Sequence, residues 1–470
     1  MPSILKQLSN LIAASVDQID AACEAQGLQF PSLDEPFSPE SEGARHIPDV
    51  LKAIDIIVVA ANQLIATAQP PISSAIDFSN RLFTAAVLHA VNEANIAEIV
   101  REGGPKGLHV SEIANKSGLD ADRIGRLLRL LATNYVFKEV SPDVFSHNRI
   151  SALLDTGKSL ETLKKDPIGK HDGTTGFSAI IGGTLDQGLA CGGVLLETLQ
   201  DPKFGHSQEP NEAVSNKAYN TTLQAFEFLE LPGNEARFRR LGVAMDGSSR
   251  MHPPDTLLKG FSFATLPENG LVVDVAGGLG SVSLVIAKAY PKLNIIVEDR
   301  PQVMIEAEKF WMSNLPKALN TNRVRLVGID MFAAQPEVSN KPDLFILRQI
   351  LHDWSDLYAH KILKHLRDAA GLNTRLLIAE SVLSYACEQS SDEVAIKGAK
   401  LPALPAPLLP NVGGANALTC FKDIAMMMLQ NGQERTLLQY ANLLKSAGWE
   451  LKEVRRPVGS GHGHLTAVPI

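Results

Sequence analysis

Residues 272–281 of this 470-residue chain are VVDVAGGLGS, a short apolar strand that leads through a glycine-rich turn into a helix. A helical stretch, SVSLVIAKAY, and a second apolar strand, LNIIVED, follow. Three more apolar runs lie downstream with helical stretches between them: RVRLVGID, DLFILRQIL and RLLIAE. Strands that are apolar on both faces and alternate with helices are typical of a parallel sheet covered by helices. The sequence therefore predicts an α/β, Rossmann-like fold here.

The end of the chain contains an irregular segment and a closing motif. Residues 401–417, LPALPAPLLPNVGGANA, are rich in Pro and are predicted to be an irregular insertion. A helix, LLQYANLLKSAGW, follows it. The stretches ELKEVRRP and HLTAVPI then alternate in polarity like the two strands of a hairpin. We predict that residues 266–470 form one α/β domain.

The residues before this domain are predicted to be mainly helical. Residues 1–90 indicate two or three helices and a Pro- and acid-rich connector, PSLDEPFSPESEG. In residues 91–160, VSEIANKSGLDADRIGRLLRLLATNYVFKEV predicts two helices that meet at Gly118, followed by a hairpin-like wing. That order is typical of a winged helix-turn-helix. Residues 161–265 are predicted to be a helical linker that lines a substrate site.

A winged helix suggests DNA binding, with Arg123, Arg126 and Arg129 as candidate contacts. The charges argue against it. Residues 101–150 hold eight Lys or Arg against six Asp or Glu, a net charge of +2, and the whole chain has a net charge of −8 and a pI near 5.9. A nucleic-acid surface needs excess cations to neutralise phosphates. We therefore expect a packing or dimerisation role for this module, and no nucleic-acid partner.

No membrane association is expected. The first 18 residues contain one basic residue, Lys6, and no compact apolar region before a cleavage site, so no signal peptide is predicted. The apolar stretch 54–68, IDIIVVAANQLIATA, contains Asp55, Asn62 and Gln63. It is shorter than the roughly 20 residues that a membrane span needs. We expect a buried or dimer-forming helix there.

Neither a metal site nor a disulfide is expected. The four cysteines lie far apart without a CxxC pair. They are Cys23, Cys191, Cys387 and Cys420. This spacing favours a reducing compartment, so the expected location is the cytoplasm.

The glycine-rich turn predicts a cofactor site. Gly277, Gly278 and Gly280 lie between a strand and a helix, where backbone N–H groups face the crevice at the carboxyl end of the sheet. Asp299 ends the next strand, where a carboxylate can accept hydrogen bonds from a ribose diol. Together they predict a nucleoside-containing cofactor, although a tight turn without a ligand gives the same letters. Ser283 replaces the last glycine of a dinucleotide fingerprint, and the acid Asp274 suits a cationic cofactor.

Three residues at this sheet edge are candidates for catalysis. His352 begins HDWSD after one strand, and Glu380 ends the next strand. Glu434 lies further on, in NGQERT. A His can accept a proton near neutral pH, and carboxylates beside it hold one tautomer and stabilise the charged form. A phenol becomes a good nucleophile only after such a proton is removed.

Each candidate has a structural alternative. Ser355 or Asp356 can cap the next helix, which would leave His352 as a loop residue. Asn431 and Glu434 have capping-box spacing, and Glu380 can be a solvated strand end.

In residues 80–470, the ordered motifs LVVDVAGG.G, VED.PQV, D.F, LRQILHDWSD, IAES and GQERT resemble the plant-type small-molecule O-methyltransferases and their fungal relatives, especially those of basidiomycetes. The resemblance implies an N-terminal domain that dimerises and contributes to the partner's substrate pocket. It implies a C-terminal class I methyltransferase domain that binds S-adenosylmethionine and releases S-adenosylhomocysteine. The acceptor would be a small phenolic or polyketide-like secondary metabolite, methylated on a hydroxyl without a metal.

The resemblance also implies roles for individual residues. His352 resembles the catalytic base, and Glu380 and Glu434 resemble the carboxylates that flank it. The residues that resemble the cofactor site are Asp274, Gly277, Gly278, Asp299, Arg300, Asp330, Met331, Phe332, Arg348 and Trp354. Those that resemble the acceptor-lining stretch are Asp423, Met426 and Met427, with Met428 beside them.

The chain departs from the family pattern at two places. Ala276 stands where the family commonly has Gly, and residues 392–415 form an insertion near the acceptor stretch. Fungal relatives that catalyse pericyclic or dehydration reactions leave a cofactor-binding, non-methylating enzyme as the main alternative. A winged-helix regulator and a nicotinamide dehydrogenase are further alternatives, and Ser283 and Asp274 disfavour the last.

Overall fold

The computed structural model describes residues 2–251, 253, 255–337 and 340–470. It contains two compact units. The first unit comprises residues 1–196, 215–251 and 406–408. The second unit comprises residues 197–214, 252–405 and 409–470.

The first unit begins with helices, as the sequence predicts. They are α1 (Ile4–Gln26), α2 (Pro48–Ala68), α3 (Pro71–Glu93) and α4 (Ile96–Arg101). The side chain of Ser3 caps α1, and Gly27 ends it in a left-handed conformation. Ile19 and Cys23 of α1 pack with Val50 and Ala53 of α2 in a small apolar core.

The length of α2 corrects one expectation. The apolar run begins at Ile54, but the helix begins at Pro48 and has 21 residues. It is therefore long and apolar enough to cross a membrane by length and composition, and few residues of its most apolar stretch are buried. Length and composition alone do not distinguish a span from a helix that packs against protein. The prediction that this segment is too short to span a membrane was therefore wrong.

The winged helix-turn-helix is present. It consists of β1 (Leu108–His109), α5 (Val110–Ser117), α6 (Ala121–Thr133), β2 (Lys138–Ser141) and β3 (Val144–Ser146). The strands form an antiparallel sheet in the order β1-β3-β2. On α6, Arg129 forms ion pairs with Glu139 at 3.0 Å and Asp143 at 2.6 Å. The wing therefore neutralises one of the three arginines considered as DNA contacts.

The region between the wing and the large sheet is helical, as predicted. Its helices are α7 (Leu160–Lys165), α8 (Phe177–Gly192), α9 (Leu195–Gln200), α10 (Val214–Ala218), α11 (Ala225–Leu229), α12 (Glu235–Arg250) and α13 (Thr256–Gly260). Within the first unit, α8 and α12 pack together, and Asp186 of α8 pairs with Arg237 and Arg240 of α12.

The second unit is built on a seven-stranded sheet. Its elements begin with β4 (Leu271–Val275), α14 (Ser281–Ala289), β5 (Asn294–Asp299), α15 (Pro301–Asn314), α16 (Pro316–Asn320), β6 (Val324–Gly328), β7 (Leu344–Arg348), α17 (Asp356–Ala369) and β8 (Arg375–Glu380). They continue with β9 (Val382–Leu383), α18 (Ser391–Val394), α19 (Ala417–Gln430), β10 (Arg435–Thr436), α20 (Leu437–Ser446), β11 (Trp449–Arg455) and β12 (Gly463–Pro469).

The strand order is β11-β12-β8-β7-β4-β5-β6. Strands β4 to β8 are parallel, and the closing hairpin β11–β12 joins the same sheet antiparallel to β8. The predicted parallel sheet is thus completed as a mixed sheet. Buried apolar clusters cover both faces, which explains why its strands are apolar throughout. From β4 the sheet extends through β5 and β6 on one side and through β7 and β8 on the other. The carboxyl ends of β4 and β7 therefore border the crevice where such sheets bind ligands.

The glycine-rich turn after β4 is left-handed at several positions. Ala276 has a φ of 53°, Gly278 of 60° and Gly280 of 77°. Glycine adopts this backbone freely, whereas alanine is strained in it. The alanine that departs from the family pattern therefore occupies a strained position.

We predict that Ala276→Gly raises the free energy of unfolding by about 0.5–1 kcal/mol, because relief of left-handed strain exceeds the extra entropy of glycine in the unfolded chain. The midpoint of thermal unfolding measures this. Ala287→Gly, inside α14, is the control and should instead lower stability by about 1 kcal/mol or more. Equal losses in both variants would contradict the prediction.

Candidate active site

His352 lies in the turn that connects β7 to α17. It belongs to a short 3-10 helix, Leu351–Asp353, and its side chain is buried. Its position at the carboxyl end of β7 places it at the ligand-binding edge of the sheet. A second segment of the chain holds this turn: the backbone N–H of Gln433 donates to the His352 carbonyl oxygen at 2.9 Å.

The imidazole of His352 is hydrogen-bonded to a buried carboxylate. Its Nδ1 lies 2.8 Å from Glu434 Oε1. A carboxylate on Nδ1 keeps the proton there and leaves the Nε2 lone pair as the basic site. The other nitrogen, Nε2, lies 3.6 Å from Asp353 Oδ1. The arrangement can accept a proton at Nε2 and stabilise the resulting imidazolium.

The electrostatics at this pair follow from burial and from the neighbouring charges. Burial lowers the pKa of His352, but Asp353, Glu434 and Glu380 outweigh it and raise the pKa above 6.5. Burial also tends to raise the pKa of Glu434, yet His352 and Lys422 bring it below its ordinary value. The carboxylate is therefore ionised at neutral pH and favours proton uptake by the imidazole.

The structure does not show the capping roles considered for these residues. Asn431 ends α19 in a left-handed conformation, and the capping box of α20 is formed by Thr436 and Gln439. Ser355 precedes α17 without a side-chain capping bond, and its Oγ donates to the Gln208 carbonyl oxygen at 2.8 Å. Glu434 is thus available to His352.

Glu380 contacts the backbone of the turn and makes no hydrogen bond to the imidazole. Its Oε1 accepts hydrogen bonds from the backbone N–H groups of Ile350, at 2.9 Å, and Leu351, at 2.6 Å. Tyr440 donates its hydroxyl to Oε2 at 2.6 Å. Glu380 is fully buried, so it is no solvated strand end. It holds the backbone just before His352, whereas Glu434 binds the imidazole directly.

Arg435 is a further important residue that the sequence analysis did not single out. Its side chain is fully buried. Nη1 donates to the Leu351 carbonyl oxygen at 2.7 Å, and Nη2 donates to that of Trp354 at 2.8 Å. Nε pairs with Asp356 Oδ1 at 2.9 Å. One guanidinium therefore holds both ends of the turn that contains His352. Its place beside Glu434 in GQERT was the available clue.

Gly432 is required by a close backbone approach. A Cβ atom at this position would lie 2.4 Å from the His352 carbonyl oxygen. That distance is far inside van der Waals contact, so only glycine fits without moving the turn.

In the predicted cofactor loop, the backbone N–H groups of the three glycines donate within the protein, that of Gly280 to the Gly277 carbonyl oxygen at 2.9 Å. The backbone N–H of Gly277 donates to the Glu298 carbonyl oxygen at 2.9 Å, and a Cβ atom on Gly277 would lie 2.7 Å from Asp274 Cγ. Asp299 Oδ2 accepts a hydrogen bond from Gly278 N at 2.8 Å, and its Oδ1 accepts one from Arg300 N at 2.8 Å. The loop and the end of β5 therefore form a single structure.

Two buried carboxyl groups lie behind this loop. Burial raises the pKa of Asp274 to about 6, although a hydrogen bond from Ser283 Oγ at 2.6 Å and the charge of Arg348 oppose the rise. Burial raises the pKa of Glu298 to about 7, and Gln335 Nε2 donates to it at 3.1 Å. Glu298 was not singled out in the sequence. Cationic groups beside these carboxyls would favour their ionised forms.

Two of the predicted cofactor residues, Phe332 and Trp354, belong to an aromatic cluster. The rings of Phe332 and Trp354 meet edge to face with centroids 4.7 Å apart, and Tyr358 lies 5.9 Å from Trp354. Asp330 Oδ1 accepts a hydrogen bond from Phe332 N at 2.9 Å, and Met331 packs on the same core. Trp354 is buried in this cluster.

The predicted acceptor-lining residues lie on α19 next to the His352 turn. Asp423 Oδ1 accepts a hydrogen bond from Glu434 N at 2.9 Å, and burial raises the pKa of Asp423. Met426 and Met427 are partly buried in the last turns of the helix. Asp423 therefore contacts the backbone of the residue that binds His352. Within the described ranges, no cluster of three His, Cys, Asp or Glu side chains could bind a metal ion.

Two family models match the chain. An O-methyltransferase domain matches residues 206–450, and an O-methyltransferase dimerisation domain matches residues 76–157. Among curated relatives, an O-methyltransferase of Armillaria gallica is 46% identical over 100% of both chains. The 4-O-methyltransferase 1 of Phanerochaete chrysosporium is 39% identical over 97% of this chain and 96% of its own.

Solved structures show the same fold. A structure described as a pericyclic reaction enzyme has a TM-score of 0.64 and covers 98% of this chain and 100% of its own. Its sequence identity is 18%, so this likeness concerns the fold alone.

We predict that Arg435→Met lowers the free energy of unfolding by about 2–4 kcal/mol, because it removes two hydrogen bonds from a charged donor to the buried carbonyl oxygens of Leu351 and Trp354. Arg435→Lys should recover only part of the loss, since one ammonium group cannot reach all three acceptors. Chemical denaturation measures the effect, with Arg325→Met on the exposed side of β6 as control. Arg435→Met as stable as the control would contradict this role.

We also predict that Glu434→Gln lowers the pKa of His352. The variant loses a carboxylate that raises this pKa, while burial and Lys422 still lower it. NMR titration of histidine labelled with carbon-13 at Cε1 measures the change, with the exposed Glu450→Gln as control. An unchanged or higher His352 pKa in Glu434→Gln would show that the pairing is not electrostatically important.

Proposed function

We propose that this protein methylates a hydroxyl group of a small aromatic secondary metabolite. The chain belongs to the O-methyltransferase family, and its curated relatives are fungal O-methyltransferases. The methyl donor in this proposal is S-adenosylmethionine, and the general base is His352. The observation that carries the proposal is the buried hydrogen bond of 2.8 Å between His352 Nδ1 and Glu434 Oε1 at the carboxyl edge of the sheet.

Methylation of a phenolic hydroxyl requires a base that removes its proton. A phenol attacks a methyl group well only as its oxyanion, and a positioned His contributes typically about 10²–10⁴-fold to such a step. His352 Nε2 removes the hydroxyl proton while Glu434 stabilises the imidazolium. Glu380 and Arg435 keep the turn in place, so the base need not be ordered during the reaction.

The residues present fit S-adenosylmethionine. Bound, it supplies a methyl group on a positively charged sulfur. A Cβ atom on Gly277 would lie 2.7 Å from Asp274 Cγ, so glycine at this position lets the loop pack closely against that carboxyl group. Asp299 ends β5 where a carboxylate can accept ribose hydroxyls, and its two present bonds are to backbone N–H groups. The acidic Asp274 and Glu298 favour a cationic ligand.

We propose a homodimer in the cytoplasm. The match to a dimerisation domain supports the dimer, as do exposed apolar side chains on α3. They are Ile72, Ile76, Phe78, Leu82 and Phe83. Several exposed large apolar side chains on one helix are typical of a protein interface. The four free cysteines support a reducing compartment.

A pericyclase or dehydratase is the second candidate, since a structure described as a pericyclic reaction enzyme has the same fold. Such an enzyme would bind the cofactor without consuming it. Methyl transfer from S-adenosylmethionine separates the two candidates.

We predict that the wild type transfers label from methyl-labelled S-adenosylmethionine to members of a phenol panel, and that His352→Ala lowers kcat by at least about 100-fold. The same variant should bind S-adenosylhomocysteine as the wild type does, because His352 lies outside the cofactor loop. Asp299→Asn should instead weaken the binding of S-adenosylhomocysteine, which calorimetry measures, and largely keep kcat.

His360→Ala is the matched control, because His360 lies on α17 and bonds Ser446 away from the base. It should keep wild-type turnover. Full activity of His352→Ala would refute the His base. Consumption of an acceptor without labelled product would favour the second candidate.

A further inference from the structure

Lys422 shares an oxygen with the proposed base. Its Nζ lies 3.0 Å from Glu434 Oε1, the atom that also binds His352 Nδ1. The same Nζ lies 3.5 Å from Ser381 Oγ at the end of β8. Lys422 is one residue before Asp423 on α19, and its side chain is only partly exposed. No motif in the sequence singled it out.

The charges that face His352 are mostly negative. Asp353 comes from the same turn, Glu434 from the segment before β10, and Glu380 from β8. From α19, Lys422 acts in the opposite sense to these carboxylates, and Asp423 binds the Glu434 backbone. Two further ionisable side chains contact the turn or one of these carboxylates.

These neighbours are Arg435, which bonds carbonyl groups of the turn and Asp356, and Tyr440, which bonds Glu380. Three carboxylates around one imidazole would hold a proton too firmly for a base that must start each cycle neutral. The structure therefore provides a reason for a cation at this place.

We propose that Lys422 is a positioning residue that competes with His352 for Glu434 Oε1 and thereby limits how firmly the carboxylate holds a proton on the imidazole. The proposal rests on His352 being the base in the proposed function. Lys422 itself transfers no proton. It binds the Glu434 oxygen that also binds the imidazole and leaves the neutral form of His352 populated near pH 7.

The sign of the effect is opposite to that of removing Glu434. Loss of the lysine charge strengthens the pull of Glu434 on the imidazolium, so the pKa of His352 rises. A larger fraction of the base is then protonated at neutral pH. The acid limb of the kcat/KM profile moves to higher pH, and activity recovers at alkaline pH.

The first experiment is an NMR titration of the full-length protein labelled with carbon-13 at histidine Cε1, with His352→Gln used to assign the resonance. In Lys422→Met the pKa of His352 should rise by about 0.5–1 unit, the size expected for one nearby charge in a partly solvated site. Lys422→Arg should restore the wild-type value. Lys364→Met, which removes an exposed ion pair on α17, should leave it unchanged.

The second experiment measures kcat/KM against pH for the same variants. The acid limb should shift upward in Lys422→Met and return in Lys422→Arg, whereas a purely structural role would lower activity equally at all pH values. Lys422→Gln replaces Lys422→Met should the latter fail to fold. An unchanged His352 pKa in folded Lys422→Met or Lys422→Gln overturns the inference.

The NMR result does not depend on turnover, so the two proposals fail separately. A wild type that labels no phenol counts against methyl transfer, while the titration still decides the effect of Lys422 on the imidazole.

Discussion

The Arg435 guanidinium holds the His352 turn through contacts at both ends of that turn. A buried cation must be compensated, and this one is compensated by two carbonyl oxygens of the turn and by Asp356. Glu380 supplies the complementary contact by accepting the N–H groups of Ile350 and Leu351. Donors and acceptors of one short turn are thus satisfied by two buried ionic side chains from β8 and β10. Because these contacts hold the backbone of the turn, the His352 imidazole has a fixed position.

The base then depends on a balance of charges around His352. Glu434 favours the imidazolium, burial disfavours it, and Lys422 opposes Glu434 at the same oxygen. Such opposition keeps a His usable as a base, because a histidine that is always protonated accepts nothing. At the cofactor loop, burial likewise disfavours the ionised forms of Asp274 and Glu298 by raising their pKa values. Their ionised forms are favoured by a cationic ligand.

Much of the fold could be predicted because its determinants are local. Apolar strands and the glycine turn identify β4 to β8, and the ends of parallel strands bring His352 and Glu380 to one edge. The partners of Glu380 could not be predicted, because a sequence does not show whether a carboxylate will meet a side chain or backbone N–H groups. Arg435 and Lys422 act through contacts that only the folded chain creates. The length of α2 was not predicted because its first residues, from Pro48, lie before the continuous apolar run that begins at Ile54.

The most direct test of methyl transfer counts the products of the reaction. For each acceptor molecule methylated, transfer from a sulfonium donor to a neutral phenol must yield one S-adenosylhomocysteine and release one proton. Chromatography and a pH-stat measure the two quantities in the same reaction. We predict a ratio of one to one to one with a phenolic acceptor. Acceptor consumed without S-adenosylhomocysteine or proton release would contradict methyl transfer and the role of His352 as its base.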